Sequence, residues 1–129
     1  MLTKILIIDD EKRICEAVKQ GLEKTSNCQV DIATNGVDGI QIAKRLKPDL
    51  ILLDVRMPGL DGVKVLKILK SDQGTLAIPV AMLSAVVNDL TKIECSCEFS
   101  VTYIEKPVDI VTLKAKIEER LGDKFDSLY

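Results

Sequence analysis

The sequence predicts an α/β fold, a parallel five-stranded sheet sandwiched between helices, and three observations predict it. Leu50-Ile51-Leu52-Leu53 is an unbroken apolar run of strand length, entered through Lys47-Pro48-Asp49 and left through Met57-Pro58-Gly59, the mark of a strand buried on both faces. Strand and helix patterns alternate five times along the chain, with crossovers long enough for parallel pairing. Polar residues with no core explanation stand at the carboxyl ends of the strand runs, where open parallel sheets carry their ligand sites.

In chain order, Lys4-Ile5-Leu6-Ile7-Ile8 is β-branched and continuous, and it runs straight into Asp9-Asp10-Glu11. A first helix follows, with Ile14, Val18 and Leu22 at helical spacing on its inner side. Asn27 to Ala33 is a second short strand, Val30 and Ile32 alternating with polar partners. Thr34-Asn35-Gly36 supplies a turn and helix cap. Ile40, Ala43 and Leu46 then face inward until Lys47-Pro48 stops the second helix. The apolar run ending in Asp54 is the third strand. Gly59 and Gly62 serve the backbone geometry of the loop after it, and Asp61 caps a third helix carrying Val65, Leu66 and Leu69 inward.

After the polar loop from Ser71 to Thr75, Ile78 to Leu83 is a fourth strand whose proline sits near its beginning, where no ladder donor is lost, and it ends at Ser84. Residues 87–94 read as a weak helix, followed by the least regular stretch of the chain. Val101 to Glu105 is the fifth strand, broken by Lys106-Pro107. Asp109 then caps a final helix with Ile110, Leu113, Ile117 and Leu121 along one stripe, closed by Gly122. Without a linker or repeat, residues 1–122 are expected to form one domain and 123–129 a C-terminal tail.

Length and composition agree. A chain of 129 residues with 47% hydrophobic and 29% charged side chains can bury one core. A formal charge of −2, a pI near 5.2 and scattered lysines leave no electrostatic footprint for nucleic acid or an anionic membrane. Met1 to Ile8 fits neither a signal peptide nor a membrane span, so a cytoplasmic location is expected. Histidine is absent, and Cys15, Cys28, Cys95 and Cys97 do not form a zinc-ligand pattern. Cys95-x-Cys97 is read as two small side chains at a helix end rather than as a metal or redox pair.

The strand ends carry the chemistry. Strand one ends in Asp9 and Asp10, strand three in Asp54, strand four in Ser84 and strand five in Lys106. An ionised carboxylate is costly to bury, so Asp54 marks a site. At an effective dielectric near 20, two like charges 4 Å apart repel by about 4 kcal/mol, so converging acids need compensation. Lys106 balances one charge, and a hard divalent cation such as Mg²⁺ balances the others; softer metals are disfavoured. With the Ser84 hydroxyl, this is equipment for phosphoryl transfer onto a carboxylate nucleophile, Asp54.

Ile8-Asp9-Asp10-Glu11, the run from Asp49 through Asp54-Val55-Arg56-Met57-Pro58-Gly59-Leu60-Asp61-Gly62, Leu83-Ser84-Ala85 and Tyr103-Ile104-Glu105-Lys106-Pro107 together resemble the receiver domain of bacterial two-component response regulators. The resemblance covers nearly the whole chain. It implies a flavodoxin-like sheet in the order 2-1-3-4-5 and a phosphoacceptor at Asp54. It implies Mg²⁺ held by Asp10, Asp54 and the backbone carbonyl of Arg56, with Asp9 acting through a metal-bound water. Ser84 and Lys106 would grip phosphoryl oxygens, the Lys106–Pro107 bond would be cis, and Tyr103 would be a switch aromatic that follows Ser84 inward. The implied partners are a histidine kinase or phosphotransfer protein as donor and a downstream protein or fused output domain, with a phosphorylation-dependent homodimer allowed.

Two departures stand out. Glu98-Phe99-Ser100 replaces the Gly-Ala-polar sequence that many receivers carry before the strand of Tyr103. Arg56 and Val86, each two residues beyond an active residue, would shield the acyl phosphate and slow its autodephosphorylation. The domain would thus be a phosphoacceptor rather than an enzyme acting on a separate substrate. Glu11 reads as a solvated charge favoured by the helix dipole rather than as a metal ligand. Two rival functions are a phosphorylation-independent receiver-like interaction domain and an aspartyl-phosphate phosphatase. The phosphatase pattern wants Asp-x-Asp after its first strand, which Asp9-Asp10-Glu11 does not supply, and Asp54-Val55-Arg56 has arginine where the second acid would stand.

Overall fold

Apolar runs become strands and amphipathic runs become helices in the order β1 (Thr3–Ile8), α1 (Lys12–Thr25), β2 (Cys28–Ala33), α2 (Gly36–Leu46), β3 (Leu50–Asp54), α3 (Gly62–Lys70), β4 (Val80–Ser84), β5 (Thr102–Glu105) and α4 (Ile110–Leu121). A 3₁₀ turn, Gly122–Lys124, follows α4. The computed structural model describes residues 2–85 and 101–125. The expected helix over 87–94, together with Val86, Cys95, Cys97 and the Glu98–Ser100 departure, lies outside them. All strand pairs are parallel and the order is β2-β1-β3-β4-β5, as the resemblance implied.

Period-two alternation along the strands divides the core into two faces. Leu6, Ile8, Ile51, Leu53 and Met82 pack against Ile40 and Ala43 of α2 and Val65, Leu66 and Leu69 of α3. Ile5, Ile7, Leu50, Leu52 and Leu83 pack against Cys15, Val18 and Leu22 of α1 and Leu113 and Ile117 of α4. Phe125, beyond the last helix, is buried on this second face, and Thr3 Oγ1 donates to the carbonyl of Lys124 beside it.

The caps fall where the short polar residues stand. The side chains of Asn35, Asp61 and Asp109 accept from the backbone amides of Asp38, Lys64 and Thr112 at the starts of α2, α3 and α4. Lys47 ends α2 in the left-handed region, φ 46°. Some boundaries differ from the sequence reading. Asn27 precedes β2, although its carbonyl already accepts from the Thr3 amide. Ile78 donates into a turn to Thr75, so the ladder to β3 opens at the Pro79 carbonyl, which accepts from Ile51. On α1 Cys15, rather than Ile14, is buried beside Val18 and Leu22, with Ile14 half-buried at the edge of the stripe; Leu46, Ile110 and Leu121 are likewise half-buried.

β2 is an edge strand, and an open edge exposes unpaired amides and carbonyls. At Val30 both groups are taken by α1. The Val30 amide donates to Glu23 Oε2 at 2.8 Å, and Lys19 Nζ donates to the Val30 carbonyl at 2.8 Å and to the same Glu23 oxygen at 2.8 Å. Burial opposes the Glu23 charge, but the Lys19 and Val30 hydrogen bonds outweigh it and hold the carboxyl below its ordinary range. Glu23→Ala leaves a buried amide unpaired and is expected to cost about 1–2 kcal/mol in urea unfolding; a change under about 0.3 kcal/mol would show that the clip contributes nothing.

Among the described residues no helix is long and apolar enough to cross a membrane.

Candidate functional site

The parallel order sends β1, β3, β4 and β5 to a common rim at their carboxyl ends, and the residues with no core role meet there. Asp9 follows the last residue of β1 and is fully buried. Its amide donates to the Ala33 carbonyl at 3.0 Å, its Oδ1 accepts from the Glu11 amide at 2.9 Å, and its Oδ2 accepts from Lys106 Nζ at 2.9 Å. Asp54 ends β3 in the centre of the sheet and is 5% exposed. Asp10 is exposed. One carboxylate oxygen from each of Asp9, Asp10 and Asp54 lies within 4.8 Å of the other two.

Lys106 follows β5, and its backbone amide donates to the Ser84 carbonyl at 2.8 Å, joining the ends of β4 and β5. The Lys106–Pro107 bond is cis. Its ammonium touches three acids: Asp9 Oδ2 at 2.9 Å, Asp54 Oδ1 at 3.2 Å and Glu11 Oε1 at 3.4 Å. Burial works against the ammonium, but the hydrogen bond to Asp9 and the charges of Asp54 and Asp9 outweigh it, so its pKa is raised and it stays protonated. Burial, then the charge of Asp9, pushes Asp54 up from 3.8 to about 6 against the pull of Lys106. With a pKa of about 6 the Asp54 carboxyl is ionised at neutral pH. Beneath Asp9, the Cys15 thiol donates to its carbonyl at 3.3 Å, and burial followed by the Asp9 charge pushes that thiol up to about 12.

A cavity of about 90 Å³ opens on this rim, with Glu11, Asp54, Arg56, Ser84 and Lys106 in its wall. That is well below the roughly 300–1,000 Å³ that holds drug-sized ligands, and suits a small anion. Ser84 is buried at the end of β4. Arg56 is exposed in the loop between β3 and α3. The loop is pinned by Val55, whose amide donates to the Leu83 carbonyl at 3.0 Å and whose carbonyl accepts from the Gly62 amide at 2.9 Å. Gly59 in the same loop has φ +77°, the left-handed region that favours glycine.

The acids fit a hard divalent ion. The three carboxylate oxygens, within 4.8 Å of one another, stand close enough to surround one such ion, directly or through a bound water. The donors are all oxygen, as that ion requires, and Asp10 keeps one side open to water.

The structure thus brings Asp9, Asp10, Asp54, Ser84 and Lys106 to one place, with Arg56 beside them. Tyr103 is not among the residues lining the cavity; it is half-buried on β5 opposite Met82 and packs on the α2/α3 face of the core. Glu11 is more than a solvated charge. Its side chain is 60% exposed, yet it pairs with Lys106. Its place directly after Asp9-Asp10 is the only sequence signal for this, because the partner is 95 residues away.

Comparison with known proteins agrees with this geometry. The family model for the response regulator receiver domain matches residues 5–118. The chain is 36% identical over 120 residues to the DNA-binding dual master transcriptional regulator RpaA of Synechocystis sp., covering 93% of this chain and 49% of that protein, so it spans about half the length of this relative. It is 37% identical over 121 residues to Protein PilH of Pseudomonas aeruginosa, covering 94% of this chain and 99% of the relative. Among solved structures, the Francisella response regulator 1452 receiver domain superposes with TM-score 0.79 at 31% identity, covering 91% of this chain and 94% of that one. The Vibrio cholerae chemotaxis protein CheY4 does so with TM-score 0.82 at 25% identity, covering 94% and 99%.

Proposed function

From the premise that this chain belongs to the response regulator receiver domain family, we propose that it is a phosphorylation-activated switch that accepts a phosphoryl group on Asp54. The observation that carries this reading is the meeting of Asp9, Asp10, Asp54 and Lys106 at one rim around a cavity sized for a small anion.

In the reaction, a carboxylate oxygen of Asp54 attacks the phosphorus of a phosphohistidine in a histidine kinase or phosphotransfer protein. The new P–O bond forms as the P–N bond breaks, and the imidazole leaves neutral, keeping the proton on its other nitrogen. The product is an acyl phosphate. Asp10, Asp54 and the Arg56 carbonyl, with Asp9 through a water, would hold Mg²⁺, which when bound neutralises charge on the phosphoryl oxygens. Lys106 donates a hydrogen bond from its ammonium to one phosphoryl oxygen and Ser84 one from its hydroxyl to another. The movement of Ser84, followed by Tyr103 on the adjacent strand, would then alter the surface offered to a downstream protein, a fused output domain or a second copy of the chain. Slow hydrolysis of the acyl phosphate, with Arg56 beside it, returns the resting state. The chain is read as the acceptor of the group rather than as an enzyme for a separate substrate.

Incubation with acetyl phosphate and Mg²⁺ is expected to add one phosphoryl group, seen by intact mass. Asp54→Asn and removal of the ion by chelator should each abolish the addition. Labelling that survives Asp54→Asn would overturn the assignment.

A further inference from the structure

The inference rests on the reading of Asp54 as acceptor and concerns Glu11. An ammonium has three protons, and in the resting site it stands among three carboxylates, with hydrogen bonds to Asp9 at 2.9 Å and Glu11 at 3.4 Å and an ion pair to Asp54 at 3.2 Å. A phosphoryl oxygen at Asp54 needs one of those protons, so Lys106 must release a partner. Asp9 and Asp54 are buried, and withdrawing the ammonium from either leaves a desolvated charge uncompensated. Glu11 is the longest contact and the only exposed one, and an exposed ion pair is held weakly. Glu11 also stands in the wall of the cavity that the incoming group enters. The hydrogen bond from its backbone amide to Asp9 Oδ1 at 2.9 Å fixes its main chain there, while the exposed side chain has solvent to swing into on leaving Lys106.

We propose that Glu11 is a displaceable counter-anion: it occupies Lys106 in the resting state, yields that place to a phosphoryl oxygen, and opposes the entry of donors in proportion to their negative charge. It acts through Lys106 and the field of the cavity, as a positioning residue. A donor carrying more negative charge meets more resistance, so the site favours a phosphohistidine, whose leaving group is neutral, over small dianionic acyl phosphates.

The test uses the full chain with Mg²⁺ saturating for each variant. Glu11→Gln keeps the size and removes the charge. Repulsion between like charges about 5 Å apart in a water-rich mouth corresponds to about a three- to tenfold effect. The half-saturating concentration of acetyl phosphate is therefore expected to fall by about that factor, with a maximal rate changed less than about twofold. Beryllofluoride, an anionic phosphoryl mimic, should bind tighter by a similar factor. Phosphoramidate, whose ammonium offsets part of its charge, should gain less than acetyl phosphate. Glu11→Asp, which keeps the charge, should stay near wild type, and the difference should shrink in high salt.

An equal gain with both donors, or a Glu11→Gln protein within about twofold of wild type in donor half-saturation and beryllofluoride binding, would overturn the role of Glu11 while leaving Asp54 as acceptor. A wild-type chain that is not phosphorylated at all would overturn both.

Discussion

Replacing Gly62 by alanine is expected to destabilise the chain by about 3 kcal/mol or more. For a domain of this size that is a drop in melting temperature of about 10 °C. A Cβ at position 62 would lie 2.0 Å from the Asp54 carbonyl oxygen, 2.8 Å from Val55 Cα and 2.9 Å from the Asp54 carbonyl carbon. These are backbone atoms of the last residue of the central strand and of the residue after it, so no side chain can turn aside to make room. The start of α3 would have to move outward, losing the bond from the Gly62 amide to the Val55 carbonyl and loosening the packing of Val55 and Met57. The loop so displaced follows Asp54 directly and carries the Arg56 carbonyl. Gly59→Ala is the internal comparison. Nothing lies within 4 Å of a Cβ there and only the positive φ is strained, so a cost of about 1 kcal/mol is expected. Urea unfolding of the two variants decides the matter: equal costs would mean that α3 does not press on β3 as described.

Asp54→Asn is expected to stabilise the metal-free protein at pH 7.5, by on the order of 2–3 kcal/mol. The cause is the upward displacement of the Asp54 carboxyl, from 3.8 to about 6, by burial and by the neighbouring Asp9 charge. A carboxyl whose pKa is higher folded than unfolded binds its proton more readily in the native state. Its ionisation then favours unfolding, and the penalty is fully present above pH 6. The penalty fades as pH falls from about 6 toward 4 and is gone once the carboxyl is protonated in both states. Asparagine never carries the charge, so its advantage should follow the same course and vanish near pH 4. Adding Mg²⁺ should reverse the order at pH 7.5, because an ion bound only by folded wild type adds stability by mass action. Urea unfolding from pH 4 to 8 in chelator, repeated with Mg²⁺, checks both arms. An Asp54→Asn protein less stable than wild type at pH 7.5 without metal would show that Lys106 compensates Asp54 fully.

The elements governed by local pattern were legible in the chain. The buried runs of β1 and β3, the inward stripes of the helices and the caps at Asn35, Asp61 and Asp109 follow from side-chain period and short polar side chains alone. The order of strands was not. Lateral pairing joins residues far apart, such as Ile5 with Leu50, and the order came from resemblance to a family. The site was legible to the extent that parallel strands end together, which placed Asp9, Asp10, Asp54, Ser84 and Lys106 on one rim. Its finer contacts were not. The Glu11–Lys106 pair, the Lys19–Glu23 clip on Val30 and the pressure of Gly62 on Asp54 are distances between atoms, and residue type does not fix them. The boundary errors at β2 and β4 have a similar source, since the Asn27 and Pro79 carbonyls pair before the strands formally begin.

The sheet does not hold all parts of the rim equally firmly. Asp54 closes a strand buried at every position, with β1 on one flank and β4 on the other, whereas Lys106 follows a four-residue margin strand that pairs, among the described residues, with β4 alone and is half open to water. Amide hydrogens of β3 should therefore outlast those of β5 in deuterated solvent by orders of magnitude. The hydrogen bond from the Lys106 amide to the Ser84 carbonyl ties this looser margin to the firm interior, so a displacement of Ser84 would be felt by Lys106 at the yielding edge of the sheet.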